Sequence, residues 1–463
     1  MNLNHNFKYL QIGLPDDISR RKGYGDFEGA IKIIDRKLKS KNQPHAFQNS
    51  LIAQREIMIR LPENYPYTKI QAIEKIREYI LDFTEAEFDA REQNGEIEWI
   101  YIQGIPHYFD RFFESMIKTD EEFSSRAGIK NVISDGGSIN VDMKEDPLDR
   151  AARRMKDKGS ISNRIHVRAS VQIKDEYFES GELVRVHLPI PRNCLQQSEI
   201  RIERMSPSDG NISHEDAPQR TIYWEERMIE NHPFMVEYSY IRTAQYHDVD
   251  SIIPDEKQPC FDIDEQPPHI MFTPYIQELA ESLTEGLKSP LEKGRAIYDF
   301  VTLNVKYSFM RSYFCLESIP EIGARNLRGD CGVMALLFIT LCRYVGIPAR
   351  WESGLVTRPD FCGAHDWAMF YIAPYGWLYS DPSFGTGAVR EGNEKRRQFY
   401  FGNLDPFRMV ANSEFQFDFT ISKKFWRADP YDNQVGEIET LQRGLRYFEF
   451  NKSKEIIGFE EHN

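Results

Sequence analysis

One stretch of this chain is apolar on nearly every side of a helix: the run Val333–Leu341, which reads Val-Met-Ala-Leu-Leu-Phe-Ile-Thr-Leu. A helix with almost no polar face must be packed on all sides by other elements. Gly346 and Pro348 are suited to end it, and Asp330 is placed to cap its start. The sequence therefore predicts a buried central helix with Cys331 in its first turn.

The position of Cys331 has a chemical consequence. Free N–H groups and the positive end of the helix dipole stabilise an anion at a helix start, and reactive thiols in such places have pKa values lowered from about 8.5. We expect the Cys331 thiol to be biased toward thiolate and its backbone N–H to be a candidate oxyanion donor. The alternative is a cysteine that only packs at a helix start. Cys342, further along the same helix, is expected to be core.

A histidine and an aspartate follow on a predicted hairpin. His365 begins a strand-like stretch, Pro374-Tyr375-Gly376 makes a turn, and the second stretch ends at Asp381. In an antiparallel pair the start of the first strand lies opposite the end of the second, so His365 and Asp381 should come close. Asp366 is a competing carboxylate, but adjacent strand residues point to opposite faces, so it should look away from His365.

These segments resemble the transglutaminase-like superfamily of papain-related cysteine enzymes. The matching motifs are Arg328-Gly329-Asp330-Cys331-Gly332 through Cys342 to Arg350, then His365-Asp366-Trp367, then Gly376-Trp377 with Asp381-Pro382-Ser383. The similarity covers about residues 291–387, and Phe401-Gly402-Asn403 with Asp405-Pro406 continues it. Met369 departs from the pattern, since relatives commonly have an acidic residue there.

The resemblance implies an α+β, papain-like core in which the cysteine helix packs on an antiparallel sheet. It implies that Cys331 is the catalytic nucleophile, His365 the general base and acid, and Asp381 the carboxylate that holds the imidazole tautomer. The second oxyanion donor stays open.

Four further residues are weaker site candidates. Tyr307 and Asn326 are candidates for the second oxyanion donor. Trp367 and Trp377 are candidates for the site wall, although core packing explains them equally well.

Three regions are predicted along the chain. They are a helical N-terminal region with linker (1–160), a β-rich sandwich-like domain (161–250) and a transglutaminase-like catalytic domain (275–450). A helix is expected after Thr68, where Ile70, Ile73, Ile76, Ile80 and Phe83 recur at helical spacing. The linker is placed at about 118–163, with breakers at 135–138.

The composition of the chain disfavours some classes of binding partner. The formal net charge of -14 over 463 residues disfavours a nucleic-acid partner. Six scattered cysteines are expected to be reduced thiols. No secretory signal or run of about 20 apolar residues is evident, so we expect a cytoplasmic protein without a membrane partner. No cofactor or metal is predicted, and the oligomeric state is left open.

The sequence favours cysteine-dependent acyl transfer on peptide or protein amides through a Cys-His-Asp triad and a thioester, most simply by a peptidase or amidase. The first alternative is a protein-glutamine transglutaminase, in which an amine is the acceptor. A second is a non-catalytic binding module that keeps the fold. A third is a zinc site built on Cys362-x-x-His365.

Overall fold

The computed structural model describes residues 3–40, 42–129 and 146–462. Its first third is mainly helical, with one short hairpin: α1 (Asp16–Tyr24), α2 (Phe27–Leu38), α3 (His45–Arg60), α4 (Lys69–Arg77), α5 (Glu85–Gln93), β1 (Trp99–Ile102), β2 (Ile105–Tyr108), α6 (Phe112–Thr119), α7 (Glu121–Ala127) and α8 (Pro147–Lys158). The helix expected after Thr68 is α4, which begins with a capping box formed by Thr68 and Gln71. It is shorter than expected, since it ends at Arg77, before Ile80 and Phe83. These helices confirm the helical N-terminal region.

The predicted linker at 118–163 needs a correction. Its described parts are largely helical, since α7 and α8 fall inside it. Asp146 caps α8 by accepting the N–H of Leu148, and Pro147 takes the first helical position, where its missing N–H costs nothing. The breakers at 135–138 lie outside the described residues.

The next strands are β3 (Ser160–Ile173), β4 (Glu182–Pro189), β5 (Gln197–Ser206), β6 (Asn211–Ile212), β7 (Thr221–Met228) and β8 (Phe234–Gln245). The inward positions of β3 are buried and the others are half-buried or exposed. That alternation fits a sheet with one packed face.

The next region mixes helices and strands: α9 (Pro274–Leu283), α10 (Pro290–Asn304), β9 (Lys306–Tyr307), α11 (Ile319–Asn326), β10 (Arg328–Gly329), α12 (Cys331–Tyr344), β11 (Ala349–Arg358), β12 (Phe361–Ile372), β13 (Gly376–Ser380), α13 (Pro382–Arg390), α14 (Glu394–Phe399), β14 (Phe401–Gly402) and β15 (Arg408–Asn412). Five strands form an antiparallel sheet in the order β14-β13-β12-β11-β15. Helix α12 packs on β11 and β12. This is the expected α+β arrangement of a cysteine helix on an antiparallel sheet.

Two C-terminal strands, β16 (Glu437–Glu439) and β17 (Phe450–His462), return to the β-rich unit. Strand β16 joins a sheet of order β16-β4-β7-β6, and β17 joins one of order β17-β3-β8-β5. Residues of both sheets share one apolar core, including Val167, Val186 and Trp224. The β-rich unit is therefore a two-sheet sandwich that the C-terminus completes. The predicted domain boundaries themselves stay a prediction.

A second apolar core, separate from that of the sandwich, is shared by the N-terminal helices and by α12 with the sheet on which it packs. It joins buried residues such as Ile34 and Phe112 to Leu336 and Phe370. Among the described residues, no helix is long and apolar enough to cross a bilayer.

Candidate active site

Helix α12 begins at Cys331 because Asp330 caps it. The Asp330 carboxylate accepts the N–H of Val333 at 3.1 Å and a hydrogen bond from the Tyr313 hydroxyl. Gly332 follows the cysteine, and a side chain there would lie only 2.1 Å from the Tyr313 oxygen. The predicted cap is confirmed, and Cys331 stands half-buried at the helix start.

The hairpin β12–β13 places the predicted base and carboxylate together. Its register pairs Ala368 with Ser380, so Asp381 continues beyond the last paired residue, towards His365 on the opposite strand. His365 Nε2 lies 2.8 Å from Asp381 Oδ2. A ring that donates its Nε2 hydrogen to Asp381 leaves Nδ1 free to take a proton, which is the arrangement a general base requires.

Asp381 is fully buried and is held from several sides. Its other oxygen accepts the Phe384 N–H and the Ser383 hydroxyl, each at 2.9 Å. Arg408 Nη1 lies 2.9 Å from Oδ2. Burial acts to raise the pKa of Asp381, but the His365 ring and the Arg408 guanidinium outweigh it and hold that pKa well below its usual value. The carboxylate is therefore charged at neutral pH.

The Cys331 thiol has a different partner from the expected one. Its Sγ lies 3.3 Å from Asp366 Oδ2, and no hydrogen bond to the His365 ring is found among the described residues. Burial, with the carboxylates of Asp366 and Asp330 next, raises the pKa of Cys331 well above its usual value. The expected bias toward thiolate is thus wrong for this arrangement, because desolvation and two nearby carboxylates outweigh the helix start.

A large cavity of about 1330 Å³ opens beside His365. Its wall includes Tyr307 and Phe384 from the region of α12, and Lys118 from α6. Cys331 is not among the described residues that line it. The N-terminal helices, which the sequence left without a role, therefore form part of the wall around the imidazole.

The four weaker candidates are placed differently from one another. Tyr307 lines the cavity, and burial, followed by the neighbouring Cys331, raises its pKa well above the usual value. Trp367 is fully buried, donates from Nε1 to Glu352 at 2.9 Å, and lies along the His365 ring. These two remain near the site.

Trp377 and Asn326 are placed apart from His365. Trp377 packs against Phe261, Tyr371 and Arg350 instead. Asn326 is exposed at the end of α11 and is not among the cavity-lining residues that the structure describes. Neither gains support from its surroundings.

The remaining cysteines and the zinc alternative can be placed as well. Cys342 is buried in the core, as predicted, and none of the six cysteines, all of which lie in the described ranges, is in a disulfide. Within the described ranges, no group of three His, Cys, Asp or Glu side chains is positioned to hold a metal ion.

Arg408, Ser383 and Gln434 are site residues that sequence reasoning missed. Ser383 stands in the Asp381-Pro382-Ser383 motif, where a small hydroxyl after a helix cap is a recognisable signal. Gln434 donates to the His365 carbonyl at 3.0 Å and to the Asp366 carboxylate. No local pattern marks Gln434, because it reaches the site from a distant irregular segment.

The fold and these residues define the class: a papain-like α+β core in which a cysteine-bearing helix packs on a sheet carrying a paired histidine and aspartate. Residues 277–382 match the family model of the Transglutaminase-like superfamily, so this part of the chain is a transglutaminase-like core. The match confirms the family resemblance inferred from the motifs, and its range lies close to the predicted one.

Solved structures provide further likenesses. A candidate cysteine protease from Cytophaga hutchinsonii is 15% identical, with a TM-score of 0.42, 65% of this chain covered and 98% of that chain. The periplasmic domain of TgpA from Pseudomonas aeruginosa is 14% identical, with a TM-score of 0.28, 56% of this chain covered and 99% of that chain. A comparison with curated proteins gives no match.

Proposed function

We propose that the protein catalyses cysteine-dependent acyl transfer on peptide or protein amides, and that it does so as a peptidase or amidase. The buried pair of His365 Nε2 and Asp381 Oδ2, 2.8 Å apart beside a cavity and next to the start of the cysteine helix, carries this proposal. A histidine oriented by a charged carboxylate can act as the general base that activates a thiol.

The proposed reaction has two halves, acylation of Cys331 and hydrolysis of the thioester, and His365 moves protons in both. His365 Nδ1 removes the proton of the Cys331 thiol as the sulfur attacks the amide carbonyl carbon and a carbon–sulfur bond forms. The carbon–nitrogen bond then breaks, and the amine leaves with the proton from His365. Water, deprotonated by the same imidazole, then attacks the thioester carbonyl carbon. The carbon–sulfur bond breaks, the carboxylic acid leaves, and the proton on His365 returns to the sulfur to restore the thiol. Asp381 keeps the ring in the productive tautomer throughout.

The oxyanion of the tetrahedral intermediate needs donors close to the thiol. The backbone N–H of Cys331 lies in the first turn of α12, where the helix leaves N–H groups unpaired. The Tyr307 hydroxyl is the supported second candidate, since it neighbours the thiol and its raised pKa keeps it protonated.

Steady-state assays on a panel of peptide and small amides test the proposal. Cys331→Ala and His365→Ala are expected to lower kcat by about 10³-fold or more with folding retained. Cys260→Ser is a matched control, since Cys260 is an exposed free thiol. Full turnover by Cys331→Ala would exclude Cys331 as the nucleophile, whereas no turnover of any amide by the wild type would leave a binding module as the better account.

The acceptor is decided by a second assay. Water needs no binding site of its own, so we place hydrolysis first. With a glutaminyl peptide and a primary amine present together, mass spectrometry should find the free acid as the main product. A predominance of the amine adduct would reassign the protein as a transglutaminase.

A further inference from the structure

A second carboxylate, separate from that of Asp381, contacts the nucleophile. Asp366 lies next to His365 on β12, is buried, and has its Oδ2 3.3 Å from the Cys331 sulfur. At that distance the S–H donates to the carboxylate, which binds the thiol in its neutral form. The proposed reaction gives this carboxylate no part, although it contacts the thiol directly; the Tyr307 hydroxyl is a further hydrogen-bonding neighbour of the sulfur.

An irregular segment between β15 and β16, the 413–436 segment, fixes Asp366 from the other side. Its Gln434 amide donates to both the His365 carbonyl and Asp366 Oδ1. Its Asp432 accepts a hydrogen bond from the Ser353 hydroxyl at 2.7 Å. Ser353 pairs directly with Asp366 in the β11–β12 register, so Asp432 is brought over Asp366. The Asp366 carboxylate is thus held in place by contacts to the 413–436 segment, through Gln434, and to α12, through Cys331.

The surroundings of Asp366 and Cys331 are acidic. Burial and the neighbouring Asp432 raise the pKa of Asp366, and burial, with Asp366 next, raises the pKa of Cys331. The titratable and charged groups that face the pair from the packed elements are Asp330, Tyr307, Tyr313, His365, Asp429, Asp432 and, beyond the last two, Arg427. No lysine or arginine in this group lies against the sulfur itself among the described contacts.

We propose that Asp366 is a further residue of the nucleophile site, which accepts the Cys331 S–H and holds the thiol neutral and turned toward β12 in the resting protein. The proposal rests on the proposed function only in taking Cys331 as the nucleophile. Activation then requires the Cys331 side chain to turn about its Cα–Cβ bond. The turn breaks the S–H···O hydrogen bond to Asp366, and the thiol passes its proton to His365 Nδ1. Asp366 thereby lowers the reactivity of the free enzyme toward small electrophiles.

Alkylation by iodoacetamide measures this without any substrate. The rate at Cys331, followed by peptide mass spectrometry from pH 5 to 10, should be about tenfold or more higher in Asp366→Asn at the alkaline end of this range. There the pH exceeds the raised pKa of Asp366, so the wild-type carboxylate is charged and disfavours the thiolate. Asp366→Glu should restore slow labelling. Asp262→Asn is the matched control, an equal change at a carboxylate paired with Arg350.

A second variant keeps the test decisive if Asp366→Asn does not fold. Gln434→Leu removes the anchor but leaves both Asp366 and the sulfur, and it should speed labelling several-fold. The proposal would be overturned if Cys331 were labelled at the wild-type rate or more slowly in Asp366→Asn and in Gln434→Leu, or in the one of them that folds. Because alkylation involves no cleavage of an amide substrate, this failure is distinct from that of the proposed function, which would show as undiminished turnover by Cys331→Ala.

Discussion

At the scale of single residues, the orientation of the His365 ring depends on Asp381 and on the groups that hold Asp381 in place. Asp381 orients the ring, and Arg408 lies 2.9 Å from the same carboxylate oxygen with no exposure of either side chain. A buried charge is stable only when it is paired and hydrogen-bonded, and Asp381 meets both conditions. The orientation of the imidazole is therefore set by buried contacts, which the cavity solvent does not reach.

Replacing Asp381 by Asn tests that orientation. The amide oxygen can keep the contacts to Phe384 and Ser383, but its NH₂ group would face Nε2 and favour the wrong tautomer. We expect kcat to fall by about 10³ to 10⁴-fold with KM changed little. Steady-state kinetics check this, with the melting temperature as the control for folding. A fall in KM alone would argue against the orienting role.

Asp429 gives a pH dependence of stability. Burial, followed by Asp432, raises its pKa from 3.8 to about 7. Between about pH 4 and 7 the folded state therefore binds the proton more tightly than the unfolded state, so this group makes stability fall as pH rises through that window.

Asp429→Asn should remove this dependence, because the amide oxygen can still accept the N–H of Tyr431. Urea titrations give the free energy of unfolding of the variant and of the wild type. The difference, variant minus wild type, should be about 1–3 kcal/mol larger at pH 8 than at pH 4. The control is Asp262→Asn. A difference that is constant with pH contradicts the assignment.

Sequence reasoning reached some of these residues and missed others for a clear reason. The pairing of His365 with Asp381 follows from hairpin register, which is local. Alternation along β12 also indicated that Asp366 points away from His365, but it could not show what lies on that side. The partners there, Cys331 and Gln434, come from separate elements whose packing no local pattern encodes.

At the scale of elements, α12 depends on its first turn. Asp330 caps the helix and at the same time adds negative charge beside the thiol, so stability and reactivity are coupled at this residue. Periodicity predicted α12 and the β12–β13 hairpin well, since both are long and strongly patterned. It missed β17, whose exposed residues alternate weakly, and the 413–436 segment, which has no period.

Removing the cap separates the two effects. Asp330→Ala should cost about 1–2 kcal/mol in the free energy of unfolding, since the N–H of Val333 loses its partner, and should also speed alkylation of Cys331. Thr84→Ala, which removes an exposed cap of α5, should cost a similar amount and leave alkylation unchanged. Equal alkylation rates in both variants would contradict the coupling.

At the scale of the whole molecule, the N-terminal helices form part of the wall of the candidate site. They contribute Lys118 to the cavity wall, and residues such as Ile34 and Phe112 share one apolar core with the region of α12. The sequence showed that these helices exist but gave no sign of the surface they cover, because a helix pattern identifies an apolar face and not its neighbour. A cytoplasmic location stays a prediction.

The shared core predicts that the C-terminal part is unstable alone. A fragment of residues 161–463 exposes apolar surface that the helices bury, so it should lack a cooperative thermal transition and bind a hydrophobic dye. Circular dichroism and dye fluorescence measure this, with the full chain as control. A fragment that melts cooperatively near the full-length temperature would show instead that the predicted domains fold independently.

The central claim is that Cys331 becomes acylated during turnover. Peptide amides from the panel, mixed with the protein and quenched in acid within the first turnover, should leave the acyl mass on the tryptic peptide that contains Cys331. The adduct should be absent in Cys331→Ala and form much more slowly in His365→Ala. An acyl group found on another residue, or amide turnover that persists in Cys331→Ala, would contradict the account.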